Sequence, residues 1–273
     1  MNEPQAQPPV VLITGGAWGI GHAAATLLTQ HNYRVFVTSR RPEPGTDRLF
    51  EMLLLEVTSD QSAAECIKAV YQTAGRIDAL INNIGTGIAG AAEETALAEA
   101  KQVVEVNFWG SVRMIKEVLP IMRVQRSGRI INLSSTGGFI GFPFRAFYSA
   151  SKFALEGYTE SLRYEVKPFG IHVSLVEPGP VKTPAADHVP TATDAIPAYA
   201  DTRQRLTAEF NRMMQNGMAP TRVAETILHI LESSSPRLRY RVGAQTAAIG
   251  WIRNLLPQTV FELVFSRFLG VEN

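Results

Sequence analysis

The sequence is short of the features that mark several protein classes. Its 273 residues hold one cysteine, Cys66, and five scattered histidines, His22, His31, His172, His188 and His229. A lone cysteine closes no internal disulfide, and no His/Cys cluster has metal-ligand spacing, so we expect a reducing compartment and no metal. Charge of one sign is also missing, with 26 Lys+Arg against 25 Asp+Glu and a net +1. That balance lacks the basic footprint of a nucleic-acid binder and the acidic excess of a solvating tail, so no nucleic-acid partner is expected. No apolar run reaches the roughly 18 to 20 residues that span a bilayer. The opening MNEPQAQPP has neither the basic region nor the apolar stretch of a secretory signal, and a cytoplasmic protein is expected. Internal repeats and a linker between halves are absent as well.

What is present is core material and a repeated pattern. Hydrophobic residues make up 45% and charged residues 19%, which excludes wholesale disorder and a collagen-like fibre. Short apolar runs of strand length occur at Val10–Ile13, Val35–Val37, Met52–Val57, Ala79–Ile81, Ile130–Leu133 and Ile171–Val176. Between them lie helical patterns at about Gly19–His31, Gln61–Thr73, Leu97–Met122, Tyr148–Lys167 and Thr221–Glu232. Strand followed repeatedly by helix implies parallel strands with right-handed crossovers. The expected fold class is therefore α/β, a Rossmann-type doubly wound parallel sheet flanked by helices, in one domain with a C-terminal helical extension. Residues 179–220 are irregular and Pro-rich, with Thr202–Met214 helical, and read as a substrate lid or a variable surface loop.

After the first strand stands TGGAWGIG, residues 14–21. Here Gly15, Gly19 and Gly21, with Trp18 and Ile20 between them, open a helix. Glycine lets the backbone turn sharply while amide N–H groups and the helix dipole meet a pyrophosphate. About 20 residues beyond such a turn, an acidic residue would bond the ribose 2′-hydroxyl of NAD. This chain has Ser39, Arg40 and Arg41 there, which suit a 2′-phosphate and favour NADP(H) over NAD(H). Two arginines on a solvated loop are the plainer alternative.

Tyr148 and Lys152, in YSASK, are four apart on one helical face. A tyrosine titrating near 10 becomes a usable acid and base at neutral pH when a neighbouring ammonium stabilises its phenolate. Ser135 lies thirteen residues upstream at the end of a strand, where parallel sheets present catalytic groups. A nucleophilic serine fits poorly, because no GxSxG elbow occurs.

With these motifs the chain resembles the short-chain dehydrogenase/reductase family over residues 10–235, nearest in feel to its hydroxysteroid and retinol dehydrogenase branch. TGxxxGxG at 14–21, a variant NNxG at Asn82–Gly85, Asn107 in VNFWG, Ser135, Tyr148 with Lys152, and PGPVKT at 178–183 fall in family order. The resemblance implies that Tyr148 is the general acid or base, that Ser135 polarises the carbonyl, and that Lys152 holds the nicotinamide ribose and lowers the Tyr148 pKa. It also implies that Asn107 fixes a relay water. Pro178, Gly179, Val181 and Thr183 would lie along the nicotinamide and phosphates, with Asn83, Ile84 and Gly85 toward the adenosine. Ile84 stands where alanine is usual, and Glu56, beside Val57, where an aspartate usually meets adenine.

Phe139, Phe142 and Phe144, between Ser135 and Tyr148, read as walls for a bulky apolar substrate or as core packing, and Met213 and Met214 add flexible apolar surface. Residues 237–273 carry five arginines, two glutamates and apolar residues at near-helical spacing, broken at Pro257. They fit a helix on the lid or a partner subunit, or one resting on a membrane surface.

The domain plan is thus a flexible N-terminus at 1–9, a nucleotide-binding catalytic domain at 10–235 with its lid at about 184–218, and an extension at 236–273. The expected activity is hydride transfer between NADP(H) and a bulky apolar ketone or aldehyde and its alcohol, with NAD-dependent oxidation of a hydroxysteroid or retinol, or a non-catalytic nucleotide sensor, as alternatives. The resemblance adds a homodimer or homotetramer paired through Leu97–Met122 and Tyr148–Lys167.

Overall fold

A computed structural model describes residues 7–42, 49–184 and 189–269. Residues 1–6 of the expected N-terminal segment, 185–188 of the expected lid (His188 among them) and 270–273 of the extension lie outside the described residues, as do the side chains of Phe268 and Leu269.

Among the described residues one parallel sheet runs through the molecule. Its strands are β1 (Val10–Ile13), β2 (Arg34–Ser39), β3 (Glu51–Leu54), β4 (Ala79–Asn82), β5 (Gly128–Leu133), β6 (Ile171–Pro178) and β7 (Arg239–Val242), in the order β3-β2-β1-β4-β5-β6-β7. The helices are α1 (Gly19–Gln30), α2 (Asp60–Ala74), α3 (Leu97–Val104), α4 (Gly110–Gln125), α5 (Ala146–Val166), α6 (Ala200–Gln215), α7 (Pro220–Glu232), α8 (Ala244–Leu255) and α9 (Gln258–Leu269). Strand order reverses between β1 and β4, the switch point at which such sheets bind ligands beyond their carboxyl ends.

The period of two along each strand divides the core between the two faces. Val11, Ile13, Val35 and Val37 point toward α1 and α7, while Val10, Leu12, Phe36 and Leu80 point toward α2, α4 and α5. Both faces are covered, which is why the central strands read as unbroken apolar runs. No helix among the described residues is long and apolar enough to cross a membrane.

The structure corrects three expectations. The third strand ends at Leu54, not Val57, because the Glu56 carboxylate folds onto the Thr58 amide and hydroxyl at 3.2 and 2.8 Å while Ser62 Oγ accepts the Glu56 amide. That knot turns the chain out of the sheet and into α2. The single helix expected over Leu97–Met122 is two helices joined by a π-helical turn, Glu105–Trp109. Gly110 follows it pressed against Val57, where a Cβ would lie 2.6 Å from Val57 Cγ2. The third correction is β7, whose Arg239 and Arg241 hid a strand too short and too charged to show apolar alternation.

Candidate active site

The glycine turn is held by backbone-directed bonds from three strands. Gly15 and Gly19 have φ of +73° and +63°, a region closed to most side chains. The Gly15 amide donates to Thr38 Oγ1 at 3.0 Å. Asn83 Nδ2 donates to the carbonyls of Thr14 and Gly15 at 3.0 and 2.7 Å, and its amide donates to Thr14 Oγ1. A Cβ on Gly21 would stand 2.1 Å from the Gly15 oxygen. Asn83 therefore clamps the turn, and Ile84 packs beneath it, with its Cγ1 2.9 Å from where a Gly15 Cβ would be. Trp18 is exposed at the start of α1, whose Ile20 is packed against the core.

At the end of β2, Ser39 Oγ accepts the Arg41 amide at 3.1 Å, and both Arg40 and Arg41 are exposed. Neither meets a carboxylate among the described residues. Across the cleft the stretch after β6 returns toward the same turn. Gly179 donates to Val242, Val181 is buried and bridges to Met218, and Thr183 Cγ2 lies 3.3 Å from the Cβ position of Gly19. Glycine amides, two exposed arginines and a close-approaching threonine could hold the phosphates of a dinucleotide. Glu56 is exposed and committed to Thr58, and Val57 is buried against Gly110.

Beyond β5, Ser135 Oγ accepts the Gly137 amide at 3.1 Å and faces the Tyr148 hydroxyl as a hydrogen-bond partner. The Tyr148 ring lies on Gly137, where a Cβ would come within 3.0 Å of it. One turn along α5, the buried Lys152 donates from Nζ to the Leu133 carbonyl at 2.7 Å, with Nζ 6.0 Å from the Tyr148 ring centroid. Asn107, fully buried in the π-turn, makes three side-chain bonds: Oδ1 accepts the Thr86 amide at 2.7 Å, and Nδ2 donates to Thr86 O and Ser151 Oγ at 2.9 Å each, which leaves one lone pair on Oδ1. The Gly85 Cβ position is 3.6 Å from both Asn107 Oδ1 and Lys152 Nζ, so this backbone runs close to both. The sheet edge thus gathers Ser135, Tyr148, Lys152 and Asn107, as their motifs suggest.

Electrostatics divide the group. Burial pushes the Tyr148 phenol above its ordinary value, opposed by the Ser135 hydrogen bond and the charge of Arg145. Burial pulls Lys152 down to about 8, against the upward pull of Glu156. Glu156 is itself raised to about 7, first by burial and then by Glu177, with Ser134 and Arg239 opposing. Behind Lys152, Arg239 pairs with Glu156 at 3.0 Å and Glu160 at 2.8 Å, and Arg241 with Glu177 at 3.0 Å. Sequence reading missed Glu156, which i,i+4 spacing from Lys152 puts on the same face of α5, and Arg145, which stands three residues before Tyr148 and immediately ahead of that helix.

The aromatic loop turns out mixed. The Phe139 ring lies under the Arg241 guanidinium, 4.8 Å from its centroid, and so packs on the ion cluster. Phe142 meets Phe265 of α9 at 5.9 Å, and Phe144 meets Tyr199 edge-on at 6.1 Å. Met213 and Met214 are half-buried near the end of α6. No group of metal-binding side chains occurs among the described residues.

Comparison with known proteins follows the same lines. The family model for short chain dehydrogenases matches residues 9–194. A 3-ketodihydrosphingosine reductase of Bacteroides thetaiotaomicron is 40% identical over 268 residues, covering 97% of this chain and 99% of that one. Retinol dehydrogenase 8 of Homo sapiens is 35% identical over 291 residues, covering 95% and 91%. Among solved structures, a short-chain dehydrogenase from Streptomyces avermitilis is 30% identical, with a TM-score of 0.82 over 97% of this chain and 99% of that one.

Proposed function

Because the chain belongs to the short-chain dehydrogenase/reductase family, we propose that it uses NADP(H) to reduce the carbonyl of a bulky apolar ketone or aldehyde, Tyr148 supplying the proton. The observation that carries this reading is Tyr148 facing Ser135 one helical turn from the buried Lys152. When bound, NADP(H) supplies the hydride.

The chain's own groups do the rest. Gly15 to Gly21 seat the pyrophosphate, and Arg40 and Arg41 hold the 2′-phosphate. Glu56 and Val57 edge the adenine, and Asn83, Ile84 and Gly85 back the adenosine. Pro178, Gly179, Val181 and Thr183 close over the nicotinamide end. Ser135 Oγ donates to the substrate oxygen and Tyr148 Oη protonates it as the alkoxide develops. Lys152 stays cationic below about pH 8. There it holds the ribose hydroxyls and favours the phenolate that the transfer leaves. Asn107 fixes the π-turn beside it and seats the water that returns the proton. Phe142 and Phe144, with Met213 and Met214, border the apolar substrate.

A likeness to a retinol dehydrogenase supports a second reading, NAD-dependent alcohol oxidation at the same site. Exposed Leu97, Trp109 and Tyr164 on α3, the π-turn and α5 support self-association through those elements. The test is NADPH and NADH oxidation by purified protein against steroids, retinoids, quinones, aliphatic aldehydes and long-chain ketones, with Tyr148→Phe beside it. We expect NADPH-dependent turnover on apolar carbonyls that falls about 10²- to 10⁴-fold in the variant, the range for general acid catalysis. Turnover unchanged in Tyr148→Phe would remove the mechanism.

A further inference from the structure

Arg145 stands three residues before Tyr148, immediately ahead of α5, and is 7% exposed. Its guanidinium carbon lies 4.2 Å over the Phe210 ring of α6. Its Nη1 is buried with no hydrogen-bond partner among the described residues. The other enclosed arginines each have their charge met by an acceptor. Arg113, Arg203, Arg239 and Arg241 meet carboxylates, Arg113 through Nε and Nη2 with its Nη1 left over, and Arg129 and Arg163 donate to main-chain carbonyls. A buried donor on a cation is costly to leave unmade, so an unpartnered one beside a reacting group points to an acceptor that arrives from outside.

The backbone delivers this side chain deliberately. Phe144 sits at φ +60°, an uncommon conformation for a bulky residue. Its carbonyl accepts the Gly90 amide at 3.1 Å, the Arg145 amide donates to Phe142 O at 3.2 Å, and the Arg145 carbonyl accepts the Ser149 amide at 2.9 Å. With its main chain fixed on both sides, the guanidinium is held between the phenol and the lid helix. Among the described residues the titratable group that acts on it is Tyr148, and α6 offers it the Phe210 face. Lys152 is turned the other way, to Leu133 O and Glu156.

We propose that Arg145 is a substrate-recognition residue: its Nη1 donates a charge-assisted hydrogen bond to a second oxygen of the substrate, near the carbonyl that Tyr148 protonates. This rests on the reductase reading above and narrows it. The substrate class becomes an apolar chain or ring system whose ketone has a neighbouring hydroxyl, ester, or carboxylate oxygen. Phe210 stacks on the opposite face of the guanidinium and orients it without competing for the donor. A cation in this place also disfavours substrates with an ammonium beside the carbonyl.

The test uses NADPH-loaded protein and three matched compounds: dodecan-2-one, methyl 3-oxododecanoate and 3-oxododecanoate. Wild type should prefer the two oxygenated ketones by about 10- to 100-fold in kcat/KM, the worth of one charge-assisted hydrogen bond. Arg145→Met should cut that preference to within about threefold, and Arg145→Lys should keep part of it. Calorimetric binding of the same compounds to the NADPH-loaded protein should give the same ranking without turnover. Reduction of none of them would therefore count against the reductase reading alone, while binding still judges Arg145. Arg145→Met should melt at the same or a higher temperature, because an unpaired buried charge has been removed. A preference that persists in the folded variant, equal handling of all three by wild type, or a melting temperature several degrees lower in Arg145→Met would overturn the inference. So would an unchanged preference accompanied only by a shifted pH profile, which would confine Arg145 to acting through Tyr148.

Discussion

The two sides of the cleft are built by different means. On the cofactor side, β1, β2 and β4 converge on the glycine turn through bonds to main-chain atoms, Gly15 to Thr38 and Asn83 to Thr14 and Gly15. On the substrate side, the loop before α5 meets α6, the turn that leads into α6, and α9 through rings: Arg145 on Phe210, Phe144 on Tyr199, Phe142 on Phe265. Main-chain bonds admit few residue types at fixed spacing. Ring contacts tolerate exchange and sliding, so the first side should resist substitution and the second should trade substrates.

Of the substitutions that probe this contrast, Gly21→Ala should have the largest effect. A methyl 2.1 Å from the Gly15 oxygen overpacks the turn, and at about 1–3 kcal/mol NADPH binding should weaken up to about 100-fold in a fluorescence titration. Unchanged binding would show that the turn yields, and the contrast between the two sides would collapse. Arg40→Asp should lower the kcat/KM preference for NADPH over NADH by about 10- to 100-fold, since a charge-assisted bond to phosphate becomes a repulsion. An unaltered preference would return the arginines to ordinary surface charge.

Glu156→Gln sharpens the picture from behind the site. The carboxylate favours the charged form of Lys152, so its loss should carry the Lys152 pKa below about 8. Reduction needs Lys152 protonated, and the alkaline limb of kcat/KM should therefore move to lower pH, with little change at pH 6. A limb that stays in place would separate Glu156 from catalysis. Smallest is Phe265→Ala, which removes the ring contact to Phe142 and should raise KM for bulky ketones about three- to tenfold without altering KM for NADPH. An equal rise for a small ketone would show general loosening instead.

This contrast also decides what was legible in the sequence. Buried parallel strands produce unbroken apolar runs, so β1, β4, β5 and β6 announce themselves, and the glycine turn is dictated by φ at Gly15 and close approach at Gly21. Ser135, Tyr148 and Lys152 came together because strand end and helix face impose their spacing. β7 was not legible, because Arg239 and Arg241 owe their burial to glutamates about 60 to 85 residues away in the chain. The π-turn at Glu105–Trp109 leaves an apolar pattern like that of a plain helix. Arg145 reads as one more loop charge until α6 closes over it.

The most direct test of the account is the fate of the hydride. NADPH deuterated at nicotinamide C4 on the transferred face, turned over once with a long-chain ketone, should give an alcohol with deuterium on its carbinol carbon, read by mass spectrometry, in wild type and not in Tyr148→Phe over the same interval. An alcohol without deuterium, or equal labelling in both proteins, would contradict direct transfer assisted by Tyr148.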